Sequence, residues 1–341
     1  MLGEIYCLTF VRGVDETEAL LRMGGLEDTI SQRRLADVRE EMESYDAGYP
    51  KFAQALSLGP WTLIIEPNGF HGSGVQLLNA VSRGTEAVSV LRHDYADDNF
   101  AYSVEGTLLT EFDPRGAAYR RGAEPDRLLP QIRAAGLDLE EDDRDPLVHP
   151  HVAALRLVGQ ITGPLPDIPD GPLPSANIEP WFSAAEPSPS YRPRQEELAD
   201  ALDTAPASLR RTIALREVRR LAELLNVGHL PDMAEALTAA ERGGKVDVPA
   251  DSALGRRIRG WLADARRATA SLNNYFARHR MTEDDRDEAT RLWWLAKALR
   301  GALWSDSPTA AYEALSPLTM GITWADDTSR RAAILQELRD H

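Results

Sequence analysis

The sequence predicts an α+β fold, in which an N-terminal domain with an antiparallel sheet and helices is followed by a proline-rich connector and a C-terminal α-helical domain. Nine prolines fall between residues 163 and 194 and divide the chain into two unlike parts. Apolar residues form short strand-like runs before this stretch and recur at helical spacing after it. Residues 1–194 carry a net charge of −14, whereas the remainder carries −2. These observations predict an α+β domain over 1–162, a linker over 163–194 and an α-helical domain over 195–341.

The N-terminal domain begins with a predicted strand and a short helix that Asp15 opens. Asp15 lies three residues before Glu18, which is the spacing of a helix N-cap, and Gly24 is suited to ending the helix. Apolar spacing and the bounding glycines and prolines predict the other elements. In order, the predicted elements are a strand at 5–11, a helix at 15–24, a surface helix within 26–42, a strand at 61–65, a helix at 76–82, a strand at 87–91, a hairpin of 100–104 with 107–112 turning at Glu105-Gly106, and helices at 127–135 and 152–161.

Beyond the connector, the apolar period is helical throughout. The clearest pattern is an uninterrupted apolar stripe that runs from Leu254 to Phe276 and predicts one long helix. A second helix, at 283–303, has two apolar faces, because Trp294 and Gly301 lie nearly opposite its main stripe. Such a helix is either wrapped by its neighbours or presents a groove to a partner. The remaining helices are predicted at 209–225, 232–240, 308–315 and 329–338.

Charge and composition exclude several classes of protein. A net charge of −16 opposes bulk attraction to nucleic acid or anionic lipid, since the long-range field has the wrong sign. No apolar run approaches the roughly 20 residues of a membrane span, and an acidic residue stands where a signal peptide would carry positive charge, so we expect a cytoplasmic protein with no membrane association. Cys7 is the only cysteine and is predicted to be a buried core thiol, which excludes an intrachain disulfide and a thiolate-rich zinc site.

The turn after the strand at 61–65 has the composition of a site. Glu66 and His71 supply a carboxylate and an imidazole among glycines that let a ligand approach the backbone. If this turn meets the loop from His93 to Asp98, a metal-dependent hydrolase results. Its catalytic candidates are Glu66, His71, His93 and Asp94, and its metal candidates are His71, His93 and Asp97. The plainer interpretation is a glycine-rich strand-to-helix turn, because the spacing of a nucleophile elbow, a dinucleotide fold or a P-loop is missing; we therefore expect no cofactor.

The helical domain offers a second kind of candidate, a cationic surface for a partner. Its arginines avoid the apolar stripes, and residues 205–280 carry a local net charge of +6. The candidate partner-binding residues are Arg216, Arg219, Arg220, Arg257, Arg267 and Trp294. The alternatives are a solvated face, or a face that docks on the acidic N-terminal domain of the same chain.

Four stretches of the N-terminal domain resemble a family of uncharacterised domains common in actinobacteria. They are residues 9–13, the block WTLIIEPNGFHGS at 61–73, the strand and hairpin at 87–114, and the turn at 121–126. The resemblance covers about residues 5–165. Because that family has no established activity, no catalytic role passes to Glu66, Asn68 or His71. The resemblance implies a bacterial cytosolic protein that serves a partner or regulatory system of its host.

The sequence therefore favours a non-enzymatic protein-binding, adaptor or regulatory protein with a protein partner. A metal-dependent hydrolase at the Glu66–His71 turn and the His93–Asp98 loop is the alternative. Nucleic-acid binding through the arginine-rich helices is the third and least favoured function.

Overall fold

A computed structural model describes residues 4–93, 98–137, 149–165, 167–182, 196–304, 306–319 and 328–340. The chain divides into two compact units, Met1–Ala185 and Glu186–His341. The first is a sheet with helices on it, and the second is helical, as the sequence predicts. No helix among the described residues combines the length and apolar character that crossing a bilayer requires.

The first unit is built on one sheet of eight described strands, and every neighbouring pair is antiparallel. The strand order is β2-β8-β3-β4-β1-β5-β6-β7. This confirms the antiparallel α+β prediction. The strands are Tyr6–Arg12 (β1), Ser31–Arg33 (β2), Phe52–Leu58 (β3), Trp61–Pro67 (β4), Glu86–Arg92 (β5), Asn99–Val104 (β6), Thr107–Phe112 (β7) and Leu173–Asn177 (β8).

Helices cover both faces of this sheet. Successive side chains of a strand point to opposite faces, so Tyr6, Leu8 and Phe10 enter one core, while Cys7, Thr9 and Val11 point to the other face. The helices are Glu16–Arg22 (α1), Leu35–Met42 (α2), Val75–Val81 (α3), Leu129–Ala134 (α4) and Pro150–Thr162 (α5). Helices α4 and α5 pack on the Phe10 face, and α1 and α3 pack on the Val11 face. Both faces of the central strands are therefore buried.

Local chemistry explains two elements that the sequence predicts correctly. The side chain of Asp15 accepts a hydrogen bond from the backbone N–H of Glu18 at 2.8 Å and so caps α1. The β6–β7 hairpin turns at Glu105 and Gly106, which both have positive φ (50° and 76°), as the favoured two-residue turn requires.

The linker prediction is wrong for residues 173–177, because they form β8 inside the sheet. Strand β8 lies between β2 and β3, with Ser175 and Ala176 fully buried. Pro174 does not prevent this: proline fixes an extended φ, and the N–H groups of its neighbours remain able to pair. The division between the two units, after Ala185, lies within the predicted linker.

Two further differences concern the neighbours of β8. The helix predicted within 26–42 is only α2, since Ser31–Arg33 is strand β2 and pairs with β8. Strand β3 is absent from the prediction, although it is buried at Phe52, Ala53 and Ala55. Strand β2 depends on a partner more than a hundred residues away, which local patterns do not register, whereas β3 pairs with the neighbouring β4 as well as with the distant β8.

The second unit is made of helices wherever it is described. The helices are Glu196–Thr204 (α6), Ala207–Leu224 (α7), Pro231–Glu241 (α8), Ala253–Asn273 (α9), Glu283–Ala302 (α10), Pro308–Ala314 (α11), Ser316–Thr319 (α12) and Thr328–Arg339 (α13). Helix α10 packs against α7, α9, α11 and α12. A Cβ on Gly301 would overlap the α11 backbone at Ala310 O and Ala314 N, so α10 and α11 touch closely there. The two apolar faces of α10 are thus those of a central, wrapped helix.

The apolar stripe predicted along α9 is buried only in its first half. Leu254, Ile258 and Trp261 are buried, but Leu272 and Phe276 are exposed. Phe276 lies beyond the end of α9 at Asn273, where Asn274 takes an extended backbone conformation (φ −108°, ψ 121°), and Leu272 lies in the last turn of α9, in which Ser271 is the buried residue. The last part of the stripe therefore does not reach the core.

Candidate functional site

The carboxylate of Glu66 is buried at the end of β4 and organises the turn that follows. Its Oε2 accepts hydrogen bonds from the backbone N–H of His71 at 3.0 Å and from His71 Nδ1 at 2.9 Å. Its Oε1 accepts from the backbone N–H of Gly72 at 2.6 Å. Asn68 turns the chain back with a positive φ of 52°. The three bonds satisfy a charge that burial alone would disfavour.

His71 joins Glu66 to Lys51, which directly precedes β3. The distance from His71 Nε2 to Lys51 Nζ is 2.9 Å. A carboxylate only accepts hydrogen bonds and an ammonium only donates them, so the imidazole donates from Nδ1 to Glu66 and accepts at Nε2 from Lys51. Lys51, His71 and Glu66, called here the Lys51 relay, therefore form a continuous hydrogen-bonded chain with a neutral imidazole.

The layer beneath this turn is closely packed. A Cβ on Gly72 would overlap Thr9 Oγ1 and come within 2.9 Å of Glu66 Oε1, so the turn can lie on the sheet only if residue 72 is a glycine. Cys7 Sγ lies 3.3 Å from Ser89 Oγ in the same layer. Burial, with a further contribution from the nearby Glu66 charge, raises the pKa of the Cys7 thiol far above its usual range. Cys7 is therefore the buried, unreactive thiol that the sequence predicts.

The structure does not assemble the predicted metal site from the residues it describes. Glu66 and His71 are in contact, but the backbone N–H of His93 donates to Asp98 Oδ1 at 2.9 Å, in a separate interaction. Within the described ranges, no three His, Cys, Asp or Glu side chains are grouped so as to hold a metal ion. Asp94 and Asp97 lie outside the described residues.

The five candidate arginines of the helical unit are each paired with an acidic side chain of the same unit. Arg216 binds both carboxylate oxygens of Glu337 on α13. Arg220 binds Glu217, which is fully buried and also accepts from Arg330 of α13 at 2.6 Å. The other pairs are Arg219 with Glu241, Arg257 with Asp232 at 3.3 Å, and Arg267 with Asp264 at 2.7 Å. Arg216, Arg219 and Arg257 thus pair between helices, whereas Arg220 and Arg267 pair with a carboxylate of their own helix, which a count of basic residues does not reveal.

Trp294 is half-buried on α10. Its ring lies 4.8 Å from that of Trp293, in a T-shaped contact, and Lys297 Nζ is 5.2 Å from its centroid. The ammonium group over the ring makes a cation–π contact that helps to hold both side chains on the helix.

The structure instead exposes an apolar group of side chains at the turn between α9 and α10. Leu272, Tyr275 and Phe276, called here the aromatic tip, are 61%, 71% and 88% exposed. Asn274 Oδ1 accepts a hydrogen bond from the backbone N–H of Phe276 at 3.0 Å and so fixes this turn. The sequence predicts the tip in part. Asn273-Asn274 is a plausible helix end, and residues beyond a helix end need not continue the buried face of that helix.

An open groove of about 350 Å³ lies in the same pair of helices, lined by residues of α9, of the α9–α10 connection and of the first half of α10. Its lining combines apolar side chains with three carboxylates. These residues are Asp264, Met281, Asp285, Glu288, Ala289 and Leu292.

Comparison with known proteins finds a match for residues of the first unit only. No curated protein and no solved structure matches the chain. Residues 1–164 match the model of a family of unknown function, DUF6461, and this match contains β1 to β7, the Glu66 turn and Lys51. Residues 1–164 of this chain are therefore similar to the DUF6461 family of uncharacterised domains.

Proposed function

We propose that this protein is a non-enzymatic binding protein that holds a protein partner through the aromatic tip and the groove of the α9–α10 hairpin. The observation that carries the proposal is the exposure of Leu272, Tyr275 and Phe276 within a stretch of five residues, with the rings of Tyr275 and Phe276 in contact. Aromatic residues dominate the binding energy of protein interfaces, and clustered exposed apolar side chains on a folded protein commonly belong to binding sites.

The tip is held in place before any partner arrives. Tyr275 and Phe276 make a T-shaped ring contact at 5.7 Å, and the bond from Phe276 N–H to Asn274 fixes the backbone beneath them. A fixed aromatic pair loses little conformational entropy on binding. The arrangement therefore favours a specific contact over incidental exposure.

The groove indicates the chemistry of the partner. Met281 and Leu292 give it an apolar wall, while Asp285 and Glu288 add negative charge. No ion pair engages Glu288 within the part of the chain that the structure describes. The exposed carboxylate of Glu288 is therefore suited to a basic residue of the partner. We infer that the partner supplies an amphipathic helix, with apolar residues for the tip and groove and a basic residue for Glu288.

The two other functions have less support. A nucleic-acid surface would use the arginines that instead pair with Glu217, Glu241 and Glu337. A metal-dependent hydrolase would need a group of ligands that the described residues do not form. The single buried, unpaired cysteine suits a reducing compartment, and we propose that the binding takes place in a bacterial cytoplasm.

The test is a binding measurement on a double variant of the tip, Tyr275→Ser with Phe276→Ser. Affinity purification from the native host identifies the partner, and titration calorimetry with the purified partner measures the dissociation constant. We expect binding to weaken about thirtyfold or more, because loss of an aromatic hot spot costs roughly 2 kcal/mol or more. Thermal melts should match the wild type, since both side chains are exposed.

Leu224→Ser is the matched control, because Leu224 is also an exposed large apolar residue of this unit but lies outside the tip. We expect it to change the dissociation constant less than twofold. A tip variant that binds the purified partner as tightly as the wild type would show the proposed surface to be wrong.

A further inference from the structure

We propose that Lys51 is an amine nucleophile, activated by His71 and Glu66, that forms an imine with small aldehydes or ketones. This activity is separate from the proposed protein binding and uses residues of the first unit only. Its basis is the Lys51 relay, in which a nucleophile, a base and a group that orients the base follow one another in hydrogen-bond contact. The same order of roles defines the known catalytic triads.

The distances fit the roles. Lys51 Nζ to His71 Nε2 and His71 Nδ1 to Glu66 Oε2 are both 2.9 Å, within the roughly 2.6–3.2 Å that proton transfer to a general base requires. Glu66 cannot rotate away, because its other oxygen is held by the backbone of Gly72. The imidazole is further fixed by Phe70, whose ring stacks on it at 5.0 Å and 15°. The base therefore stays aimed at the amine.

The hydrogen-bond directions make His71 the base and Lys51 the proton donor. Since Nδ1 carries the hydrogen that bonds Glu66, the Nε2 lone pair faces the ammonium of Lys51. His71 takes a proton from Lys51, and the freed nitrogen lone pair forms a bond to the carbonyl carbon while the C=O π bond breaks. A proton then passes from this nitrogen to the alkoxide oxygen and gives a carbinolamine. Its hydroxyl leaves as water with the proton returned by His71, and the nitrogen lone pair closes a protonated imine. The overall change is ammonium plus carbonyl to protonated imine plus water.

The rarity of lysine in this chain adds a second, independent argument. Only Lys51, Lys245 and Lys297 are lysines, against 35 arginines. Arginine stays protonated in proteins, whereas lysine can give up its proton. Lys245 pairs with Asp247 at 2.6 Å and Lys297 lies over Trp293 and Trp294, so neither contacts an imidazole base among the described residues. Lys51 is thus the one of these three lysines that has a base in contact with its amine among the described residues.

The surroundings select the kind of carbonyl compound. Lys51 is half-buried, and the Phe70 ring that stacks on His71 is half-exposed. Since Phe70 stacks on His71, which contacts Lys51, we infer that an aromatic aldehyde suits the exposed part of this ring. Benzaldehyde is therefore a suitable probe.

The experiment measures reductive alkylation of each lysine in the intact protein. Benzaldehyde and sodium cyanoborohydride are added at pH 7, and peptide mass spectrometry follows benzylation of Lys51, Lys245 and Lys297 over time. We expect Lys51 to react at least tenfold faster than the other two, which serve as internal controls. A Lys51 rate within twofold of Lys245 and Lys297 would overturn the proposal.

The variant His71→Gln tests the role of the base. We expect its Lys51 rate to fall about tenfold, to that of Lys245, with circular dichroism and thermal melts showing that the fold is kept. An unchanged Lys51 rate in a folded variant would also overturn the proposal. If this variant fails to fold, the pH profile of the wild type decides: the Lys51 rate should reach its plateau at lower pH than the rates of Lys245 and Lys297, and coincident profiles would refute the inference. The tip variant should label as the wild type does, which separates this test from that of partner binding.

Discussion

At the scale of single residues, the contact between Glu66 and His71 is predictable and the contact with Lys51 is not. Glu66 and His71 lie five residues apart around a glycine-rich turn, so local sequence brings them together. Lys51 reaches the imidazole because β3 pairs with β4 and places its first residues beside the end of that strand. The local sequence of β3 does not clearly indicate a strand. The contact between Lys51 and His71 therefore cannot be predicted until the strand pairing is known.

A buried carboxyl on α11 makes stability depend on pH. Glu313 Oε2 is buried and has no hydrogen-bond partner among the described residues, and burial raises the pKa of Glu313 while Arg300 and Lys297 lower it in part. The folded protein thus keeps this proton to higher pH than the unfolded chain does. The stability it contributes is complete below the ordinary carboxyl pKa of about 4.3 and is lost as pH rises through the raised value.

We therefore expect Glu313→Gln, which keeps the shape and stays neutral, to lose less stability than the wild type between pH 5 and pH 8. Urea denaturation at the two pH values measures the difference in the free energy of unfolding. Equal losses in both proteins would mean that Glu313 titrates alike in the folded and unfolded states.

At the scale of elements, the helices of the second unit are held partly by ion pairs that cross between them. Glu217 of α7 is fully buried and is shared by Arg220 and by Arg330 of α13. We expect Glu217→Ala to lower the free energy of unfolding by about 3 kcal/mol, because it leaves two partly buried guanidinium groups without their carboxylate. Chemical denaturation followed by tryptophan fluorescence measures this loss.

Glu241→Ala is the matched control for this prediction. Glu241 of α8 pairs with Arg219 of α7, the helix that also carries Glu217, but both side chains of this pair are substantially exposed. Exposed ion pairs contribute little to stability. We expect its unfolding curve to coincide with that of the wild type. Similar losses in the two variants would contradict a special role for the buried carboxylate.

Elements with a strong local signal are predicted well, and elements that depend on distant partners are not. The turn at Glu105-Gly106 specifies the β6–β7 hairpin, and the α9 stripe specifies its helix. Strand β8, by contrast, reads as a connector because of its prolines, and it becomes a strand only when β2 and β3 offer their edges. The prediction that Leu272 and Phe276 are buried is wrong for a related reason. Apolar spacing predicts which residues share a helix face, but it does not show whether another element packs on that face.

At the scale of the whole molecule, the family match and the folded unit end at different places. The match stops at residue 164, whereas the sheet takes in β8 and the compact unit extends to Ala185. Strand β8 pairs on both sides and buries Ser175 and Ala176.

We expect a fragment of residues 1–185 to fold cooperatively and a fragment of residues 1–164 to melt at a markedly lower temperature or to aggregate, because it leaves β2 without a partner and one edge of β3 open. Circular dichroism melts and size-exclusion chromatography compare the two fragments. Equal melting temperatures would show that β8 adds nothing to the stability of the sheet.

The late position of β8 in the chain has a consequence for biosynthesis. Strand β3 ends at residue 58, but the strand that covers its outer edge begins only at residue 173. At roughly 5–20 residues per second, a ribosome takes on the order of ten seconds to add the stretch between them. During that time the peptide groups on the outer edge of β3 are unpaired. We expect a chaperone to be most useful in this interval, because an open strand edge can pair with another chain.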